Sequence, residues 1–398
     1  MGAQGGAKAL LAALELVAGD AGAVVVVLRA LATVLHGQPD LLGGTPVEAE
    51  QDDQGAVVPP PSIVQLVQVL GAHAGDAAVQ QAGALAVRRA CTLHETNRQA
   101  FVNAGVLPRL LGAVAAFAAQ PDTHGAATAA LQTLRALTND DDIRVPYGKA
   151  ADHIKLIVSE LQGLPTLVAA LDAAQGAPAL TAEIFKTAGQ FAVRNEYCQD
   201  LVSLGALQRA LDTLQPQREA SPPLAQAACI LVRSIAGVDD IKAAIGKASG
   251  IELLVDAVQR AIKHAGAVEQ GCAALAALCL RSPDNAQAFV LADGPSVIVR
   301  CLHVHHDAPK LLRQACTVLR NVASRSPQLR EAILGEGAEA ALQAVMQKHK
   351  DCHDAAKAAL RDLGCKVELR ELWTGALKTA DGAAIPELLP DPAAADNQ

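Results

Sequence analysis

A glycine followed by an apolar run recurs six times along this chain at nearly constant spacing. The runs read GVLPRLL, GLPTLV, GALQRAL, GIELLV, GPSVIV and GAEAAL, and they begin at Gly105, Gly163, Gly205, Gly250, Gly294 and Gly337. The intervals between these glycines are 58, 42, 45, 44 and 43 residues. A unit this short cannot bury its apolar faces alone, so each copy must pack on neighbours of the same kind.

A second pattern, an arginine between aliphatic residues, recurs between the glycine turns. It appears as LRAL, LRAL, VRSI, LRNV and LRDL, which begin at Leu28, Leu134, Val232, Leu319 and Leu360. Related segments near Ala86, Lys186 and Cys272 fill the gaps and bring the total to eight repeats. A period of 40 to 47 residues with two or three helices is typical of HEAT and armadillo repeats. We therefore predict an all-α fold, a right-handed α-α superhelical solenoid of about eight armadillo repeats.

Composition narrows the functions open to such a solenoid. Hydrophobic residues make up 51% of the chain but aromatic residues only 2%, so few side chains are available to stack on bases. The net charge of −8 argues against binding to a phosphate backbone. The run Val24–Leu28 is too short to span a bilayer, and Arg29 follows it. We expect no nucleic acid or membrane partner, a monomer, and a cytoplasmic location with a nuclear one as the alternative.

Two segments do not follow the repeat. Residues 43–61 are rich in Gly, Pro and acidic side chains, which predicts a disordered or extended insertion before the helix Ile63–Leu70. Residues 376–398 are rich in Ala, Pro and Asp and are predicted to form a disordered C-terminal tail. The solenoid domain is thus expected to cover residues 1–375.

Several strings are more specific than a generic repeat. They are LHETNRQAFVNAGVLPRLL, NDDDIRVPYG, RNEYCQDLVSLGAL and DLGCKVELRELWTG, which begin at Leu93, Asn139, Arg194 and Asp362. Together they closely resemble the armadillo repeat-containing protein 6 family, from about Gly37 to Gly375. The resemblance implies a eukaryotic armadillo solenoid that is not an enzyme. The chain departs from the family in lacking a longer region before the repeats and in carrying the insertion 43–61.

The arginine-bearing helices predict a polar surface. In the helix before Ser324, polar residues from Arg313 to Ser324 recur at helical spacing opposite an apolar face. In armadillo proteins the third helix of each repeat lines the concave groove, so the resemblance implies that these polar stripes stack into one surface. The predicted protein-binding residues are Arg29, Arg89, Arg135, Arg233, Arg320, Asn321 and Arg361.

Two interpretations of these arginines stay open. As groove residues they bind an extended, acidic or phosphorylated segment of a partner protein, because guanidinium groups hold carboxylates and phosphates bidentately. The face around Arg135, Arg233 and Arg320 shows almost no carboxylate, and Asn321 is expected to contact the ligand backbone. As braces the arginines pair within the solenoid, and the protein is a regulatory or adaptor protein whose partner binds elsewhere. A nuclear-import adaptor is disfavoured, because the required tryptophan ladder is reduced to Trp373.

Candidate catalytic and metal-binding groups are few. Asp140, Asp141 and Asp142 are predicted to cap the helix that follows them, as carboxylates do at helix N-termini. His303, His305 and His306 resemble a metal tract but are expected in a loop without further ligands at suitable spacing. A cryptic enzyme or metal protein is therefore the least favoured alternative. No cofactor is expected.

The cysteines follow the repeat. Cys229, Cys272 and Cys316 lie 43 and 44 residues apart, at one place in successive arginine-bearing helices. Such a periodic cysteine indicates a small buried core residue rather than a nucleophile.

Overall fold

The structure of the protein is a computed structural model, and it describes residues 3–43, 50–53, 55–218 and 220–367. These residues form 23 α-helices and no β-strand; the only β pairing among them is an isolated bridge between Gln51 and Val57. The predicted all-α class is confirmed. Two helices come first, and seven groups of three helices follow, which agrees with about eight repeats.

The helices occupy three positions within a repeat. The first helices are α3 (Asp40–Gly43), α6 (Glu95–Asn103), α9 (Ala150–Lys155), α12 (Asn195–Ser203), α15 (Asp239–Lys247), α18 (Pro283–Leu291) and α21 (Arg330–Gly335). The second helices are α1 (Ala3–Leu16), α4 (Pro61–Ala72), α7 (Val106–Phe117), α10 (Gly163–Ala173), α13 (Ala206–Leu214), α16 (Gly250–Arg260), α19 (Gly294–Val304) and α22 (Ala338–Lys348). The third helices are α2 (Ala21–Val34), α5 (Ala77–Cys91), α8 (His124–Leu137), α11 (Pro178–Phe191), α14 (Pro222–Ile235), α17 (Ala265–Cys279), α20 (Pro309–Ser324) and α23 (His353–Asp362).

The third helices form a continuous layer, because each packs along the third helix of the next repeat. Small residues allow this close approach: a Cβ added at Gly189 in α11 would lie 3.2 Å from Ser234 Oγ and 3.3 Å from the side chain of Ile230, both in α14. Cys229, Cys272 and Cys316 are buried in the same core, as predicted, and burial raises the pKa of the Cys229 thiol to about 12. We call the eight stacked helices the third-helix layer.

The recurring glycine of the turn before each second helix serves two different purposes. At Gly105, Gly205 and Gly337 the glycine itself takes the left-handed backbone conformation, with φ of 82°, 85° and 81°. In the other three repeats the preceding residue is left-handed, and the glycine begins the second helix. A Cβ at Gly163 or Gly250 would lie 2.8 Å from a backbone oxygen of the helical turn before it, so only glycine fits.

The repeat is more regular when it is aligned on the left-handed residue than on the glycine. In the turns before α7, α10, α13, α16, α19 and α22, the left-handed residues are Gly105, Gln162, Gly205, Ser249, Asp293 and Gly337. Their intervals are 57, 43, 44, 44 and 44 residues. The single long interval places an insertion between α8 and α9, in the segment that contains DDDIRVPYG.

The predicted insertion 43–61 is described at residues 50–53 and 55–61, where the chain packs on the neighbouring repeat. Val57 is buried, and its carbonyl oxygen accepts a hydrogen bond of 2.7 Å from Asn103 Nδ2 in α6. The backbone N–H of Asp52 donates to the carbonyl of Ala56 at 2.9 Å and closes a small loop. A buried apolar side chain and a satisfied carbonyl hold this stretch on the neighbouring repeat. The predicted tail 376–398 and Trp373 lie outside the described residues.

Among the described residues, no single helix is long and apolar enough to cross a bilayer, although two bent pairs of helices reach that length together.

Candidate functional site

The third-helix layer carries a charge opposite to that of the whole chain. Its eight helices contain eleven Lys and Arg residues but four Asp and Glu residues. The whole chain has 33 basic and 41 acidic side chains. Stacking these helices side by side concentrates positive charge on one surface, and such a surface attracts acidic ligands.

Arg135 in α8 is tied to the next repeat. Its Nη1 donates to the backbone oxygen of Glu183 at 3.1 Å and to Thr187 Oγ1 at 2.8 Å, while Nη2 pairs with the Glu183 carboxylate. Burial alone would raise the pKa of Glu183, but hydrogen bonds from Lys186 and Arg135 outweigh it and lower that pKa. The expectation that this face lacks carboxylates is therefore wrong at Glu183, and Arg135 acts as a brace between α8 and α11.

In α5 the structure places Arg88, and not the predicted Arg89, beside Arg135. Arg88 Nη1 donates to Gln132 Oε1 in α8, whereas Arg89 points back to His36 Nδ1 at 2.8 Å. Burial and the neighbouring arginines lower the pKa of Arg88. The sequence has two adjacent arginines here. The arginine pattern alone does not show which of them faces the next third helix.

Asn321 also serves as a brace. Its Nδ2 donates to the backbone oxygen of Ala276 in the preceding third helix at 2.8 Å. Gln190 makes the equivalent contact from α11, because its Nε2 donates to the backbone oxygen of Arg135 at 2.9 Å. One N–H of the Asn321 amide is thus used inside the solenoid, and the expected contact of Asn321 with a ligand backbone stays a prediction.

Arg320 and Arg361 meet at one carboxylate. Arg320 Nε lies 3.4 Å from Asp362 Oδ2, and Arg361 Nη2 lies 3.0 Å from Asp362 Oδ1. The two arginine side chains are 47% and 58% exposed. An ion pair open to water on this scale holds its partners weakly, so both guanidinium groups keep donors that face solvent.

Arg233 in α14 differs from the other arginines of the layer. It is exposed and makes no hydrogen bond or ion pair with any residue that the structure describes. The next third helix, α17, is rich in small residues, and Ala273 and Ala276 in it are buried. Its one carboxylate, Glu269, accepts a hydrogen bond from Gln270. Arg29 in α2 is likewise exposed, and within the described ranges its side chain has no partner.

The predicted acidic cluster lies on the first helices rather than at the start of α9. Asp142 Oδ2 accepts a hydrogen bond of 2.8 Å from the backbone N–H of Glu95, the first residue of α6. Asp141 pairs with Arg98, and Asp142 pairs with Arg144 at 2.8 Å. The expectation that these residues cap the following helix is therefore corrected, because α9 has no side-chain cap and Asp141 and Asp142 bond to α6 of the preceding repeat.

The predicted histidine tract lies at the end of α19. His303 is inside the helix, His305 Nε2 contacts the backbone oxygen of Ile262 at 2.7 Å, and His306 pairs with Asp307 at 3.0 Å. Among the described residues, no group of three or more His, Cys, Asp or Glu side chains is arranged to hold a metal ion.

Comparison with known proteins gives a consistent result. The ARMC6 family model matches residues 1–381. The armadillo repeat-containing protein 6 of Pongo abelii and that of Homo sapiens are each 39% identical over 365 residues, which is 90% of this chain and 69% of each relative. The Drosophila melanogaster homolog is 30% identical over 292 residues, or 73% of this chain and 60% of its own length.

Solved structures with a similar fold include two designed armadillo repeat proteins. One, named YIII(Dq)4CqI, has a TM-score of 0.52 at 21% identity. The other, in complex with the peptide (KR)4, has a TM-score of 0.51 at 22% identity. Each match covers 65% of this chain and 99% of the designed protein, and both support the armadillo solenoid.

Proposed function

This chain belongs to the armadillo repeat-containing protein 6 family, and we propose that it is a non-enzymatic scaffold that binds an acidic or phosphorylated segment of a partner protein. The segment lies extended across the third-helix layer. The observation that carries this proposal is Arg233, an exposed arginine without a partner among the described residues. Without a ligand, the guanidinium group of Arg233 is hydrated. A carboxylate or phosphate can therefore form a charge-assisted hydrogen bond with it without breaking an internal one.

The spacing of the open arginines suits an extended ligand. Arg233 on α14 and Arg320 on α20 lie on either side of α17, because α17 packs against both helices. Third helices that pack at ordinary distance put these two positions roughly 20 Å apart. An extended peptide covers that span with about six residues. The ligand expected here therefore has two negative groups separated by about five to six positions.

The charge of the ligand follows from this chain and not from its structural neighbours. The designed armadillo protein mentioned above is in complex with a Lys-Arg peptide. The third-helix layer of this chain is itself basic, so its ligand is expected to carry the opposite charge. What the neighbour supports is that a similar fold accommodates a peptide.

The test is fluorescence anisotropy with four labelled peptides of one length: acidic, doubly phosphorylated, neutral and basic. We expect the acidic or phosphorylated peptide to bind most tightly, and its affinity to fall with added salt. Arg233→Ala should weaken that binding about tenfold or more, as for a lost charge-assisted contact. Arg260→Ala is the matched control, because Arg260 lies on the second helix α16 and pairs there with Asp256.

Two results would overturn the proposal. One is equal binding of all four peptides, and the other is full affinity in the Arg233→Ala variant with unchanged folding. Either would favour the second candidate, a regulatory or adaptor protein whose arginines are braces. The contacts of Arg135 and Asn321 already have that character.

A further inference from the structure

The inserted loop between α8 and α9 exposes two large apolar side chains. Ile143 is fully exposed and Tyr147 is 86% exposed. They lie four positions apart in the segment that lengthens this repeat beyond the others. Ile143 sits within a tight turn, because the backbone N–H of Val145 donates to the carbonyl of Asp142 at 3.1 Å. Turns of this kind are ordinarily built from polar residues or glycine, so isoleucine there has no conformational reason.

Buried charged groups fix the start of this loop. Arg98 in α6 is 1% exposed, and its Nη1 donates to the backbone oxygen of Asn139 at 3.0 Å. The same guanidinium pairs with Asp141 and, at 3.2 Å, with Glu95. A buried arginine is costly unless all its donors are used, and here they hold the loop to the preceding repeat.

The turn and the end of the loop are held in the same way. Arg144 donates to Asp142, to Asp40 at 3.1 Å and to the backbone oxygen of Leu93 at 2.9 Å. The backbone N–H of Lys149 donates to Glu95 Oε1 at 2.7 Å. The loop therefore has one defined shape, in which Ile143 and Tyr147 point away from the solenoid.

One exposed charge in the loop is left uncompensated. Asp141, Asp142 and Arg144 pair internally, and Lys149 pairs with Asp152. Asp140 is exposed and makes no hydrogen bond or ion pair with a described residue, and Gly148 packs so closely against it that a Cβ there would overlap its carboxylate. The accessible surface of the loop thus combines two apolar side chains with one free carboxylate.

We propose that residues 139–149 form a second interaction site, separate from the third-helix layer, which anchors a folded partner protein. Ile143 and Tyr147 insert into an apolar pocket of that partner, and a basic side chain at the pocket rim meets Asp140. Tyrosine is among the residues that most often dominate binding energy at interfaces. A loop that is rigid before binding loses little conformational entropy on binding, which favours its use as an anchor.

The test begins with photo-crosslinking in eukaryotic cells that express the full chain. The photoreactive residue p-benzoylphenylalanine replaces Tyr147 in one variant and Leu291 in the control. Leu291 is a matched control, because it is 78% exposed and lies in a different repeat, as the last residue of α18. The protein that is crosslinked from position 147 but not from 291 is then purified, and its binding to the full chain is measured by calorimetry.

We expect Ile143→Ser and Tyr147→Ser each to weaken this binding about tenfold or more, the size of an interface hot spot. Asp140→Lys should weaken it further in combination, whereas Arg233→Ala and Leu291→Ser should leave it unchanged. Because both apolar side chains are exposed, the variants should keep the melting temperature of the wild type.

Four outcomes would overturn the proposal. The first is that positions 147 and 291 crosslink the same proteins, and the second is that the loop variants bind the purified partner as well as wild type. The third is that the only specific adduct is a second copy of this chain or a lipid. Loss of binding in Arg233→Ala alone would assign that partner to the third-helix layer and would also contradict the loop site.

Discussion

Arg135 and Arg233 come from the same sequence pattern, at the same place in a third helix, yet the two regions around them differ. Around α8 and α11, Arg135 is held by Glu183 and Thr187, and its side chain is 20% exposed. Around α14 and α17, Arg233 is exposed and makes no hydrogen bond or ion pair with a described residue. The arginine itself does not decide between brace and ligand contact. The facing residue of the next repeat does.

The largest difference is expected in stability. Arg135→Ala removes one of the two cationic partners of the largely buried Glu183 carboxylate, which should lower the free energy of unfolding by about 1.5 to 3 kcal/mol. Arg233→Ala removes no internal contact and should change it by less than about 0.5 kcal/mol. Urea unfolding of both variants, followed by circular dichroism, measures the contrast. Equal losses in the two variants would show that the regions do not differ in this way.

A smaller effect is expected at the amide contacts between third helices. Asn321→Ala and Gln190→Ala each remove a hydrogen bond to a backbone carbonyl of the preceding helix, so each should cost about 1 kcal/mol of unfolding free energy. Peptide affinity at the third-helix layer should stay the same in Asn321→Ala, because its amide is already engaged. A loss of affinity at unchanged stability would return Asn321 to the ligand-binding residues.

The recurrence of one pattern along the sequence predicted the fold. It could not predict which side chains pair between neighbouring repeats. The glycine turns and buried cysteines recur because every unit must pack in the same way, and such a pattern is visible in the sequence. The Arg135–Glu183 pair joins residues 48 positions apart, and nothing in either local motif marks it. The same limit explains the choice of Arg89 over Arg88, because the helix period alone does not tell which of two adjacent arginines faces the next helix.

The stability of the protein at acidic pH gives a further comparison of the regions around Arg135 and Arg233. The pKa of Glu183 is lower in the folded protein than its ordinary value, because Lys186 and Arg135 donate to it. Its stabilisation is therefore complete above the unfolded-state pKa, about 4.3 for glutamate, and is lost as the pH falls through the folded-state pKa.

Glu183→Gln should accordingly be less stable than wild type at pH 7, and the gap should close as the pH falls below about 4. Thermal melts of both proteins from pH 7 to pH 3 measure this gap. Arg233→Ala serves as the control and should follow the wild-type profile throughout. A constant gap between Glu183→Gln and wild type at every pH would mean that Glu183 contributes through packing and not through its charge.

A small effect on stability is expected at Asp362. Its ion pairs are intermediate between the largely buried pair of Arg135 and the exposed Arg233, which pairs with no described residue. Arg320 and Arg361 pair with this carboxylate, but both guanidinium groups remain about half exposed. Asp362→Asn should therefore cost less than about 1 kcal/mol, as for other ion pairs at the surface, and the cost should shrink in high salt. The same change removes a competing carboxylate, so the acidic peptide should bind more tightly at low salt, by a factor of about two to five. Anisotropy titrations of wild type and Asp362→Asn at two salt concentrations test both effects together. If the variant binds the peptide more weakly, Asp362 positions the two arginines for the ligand and does not compete with it.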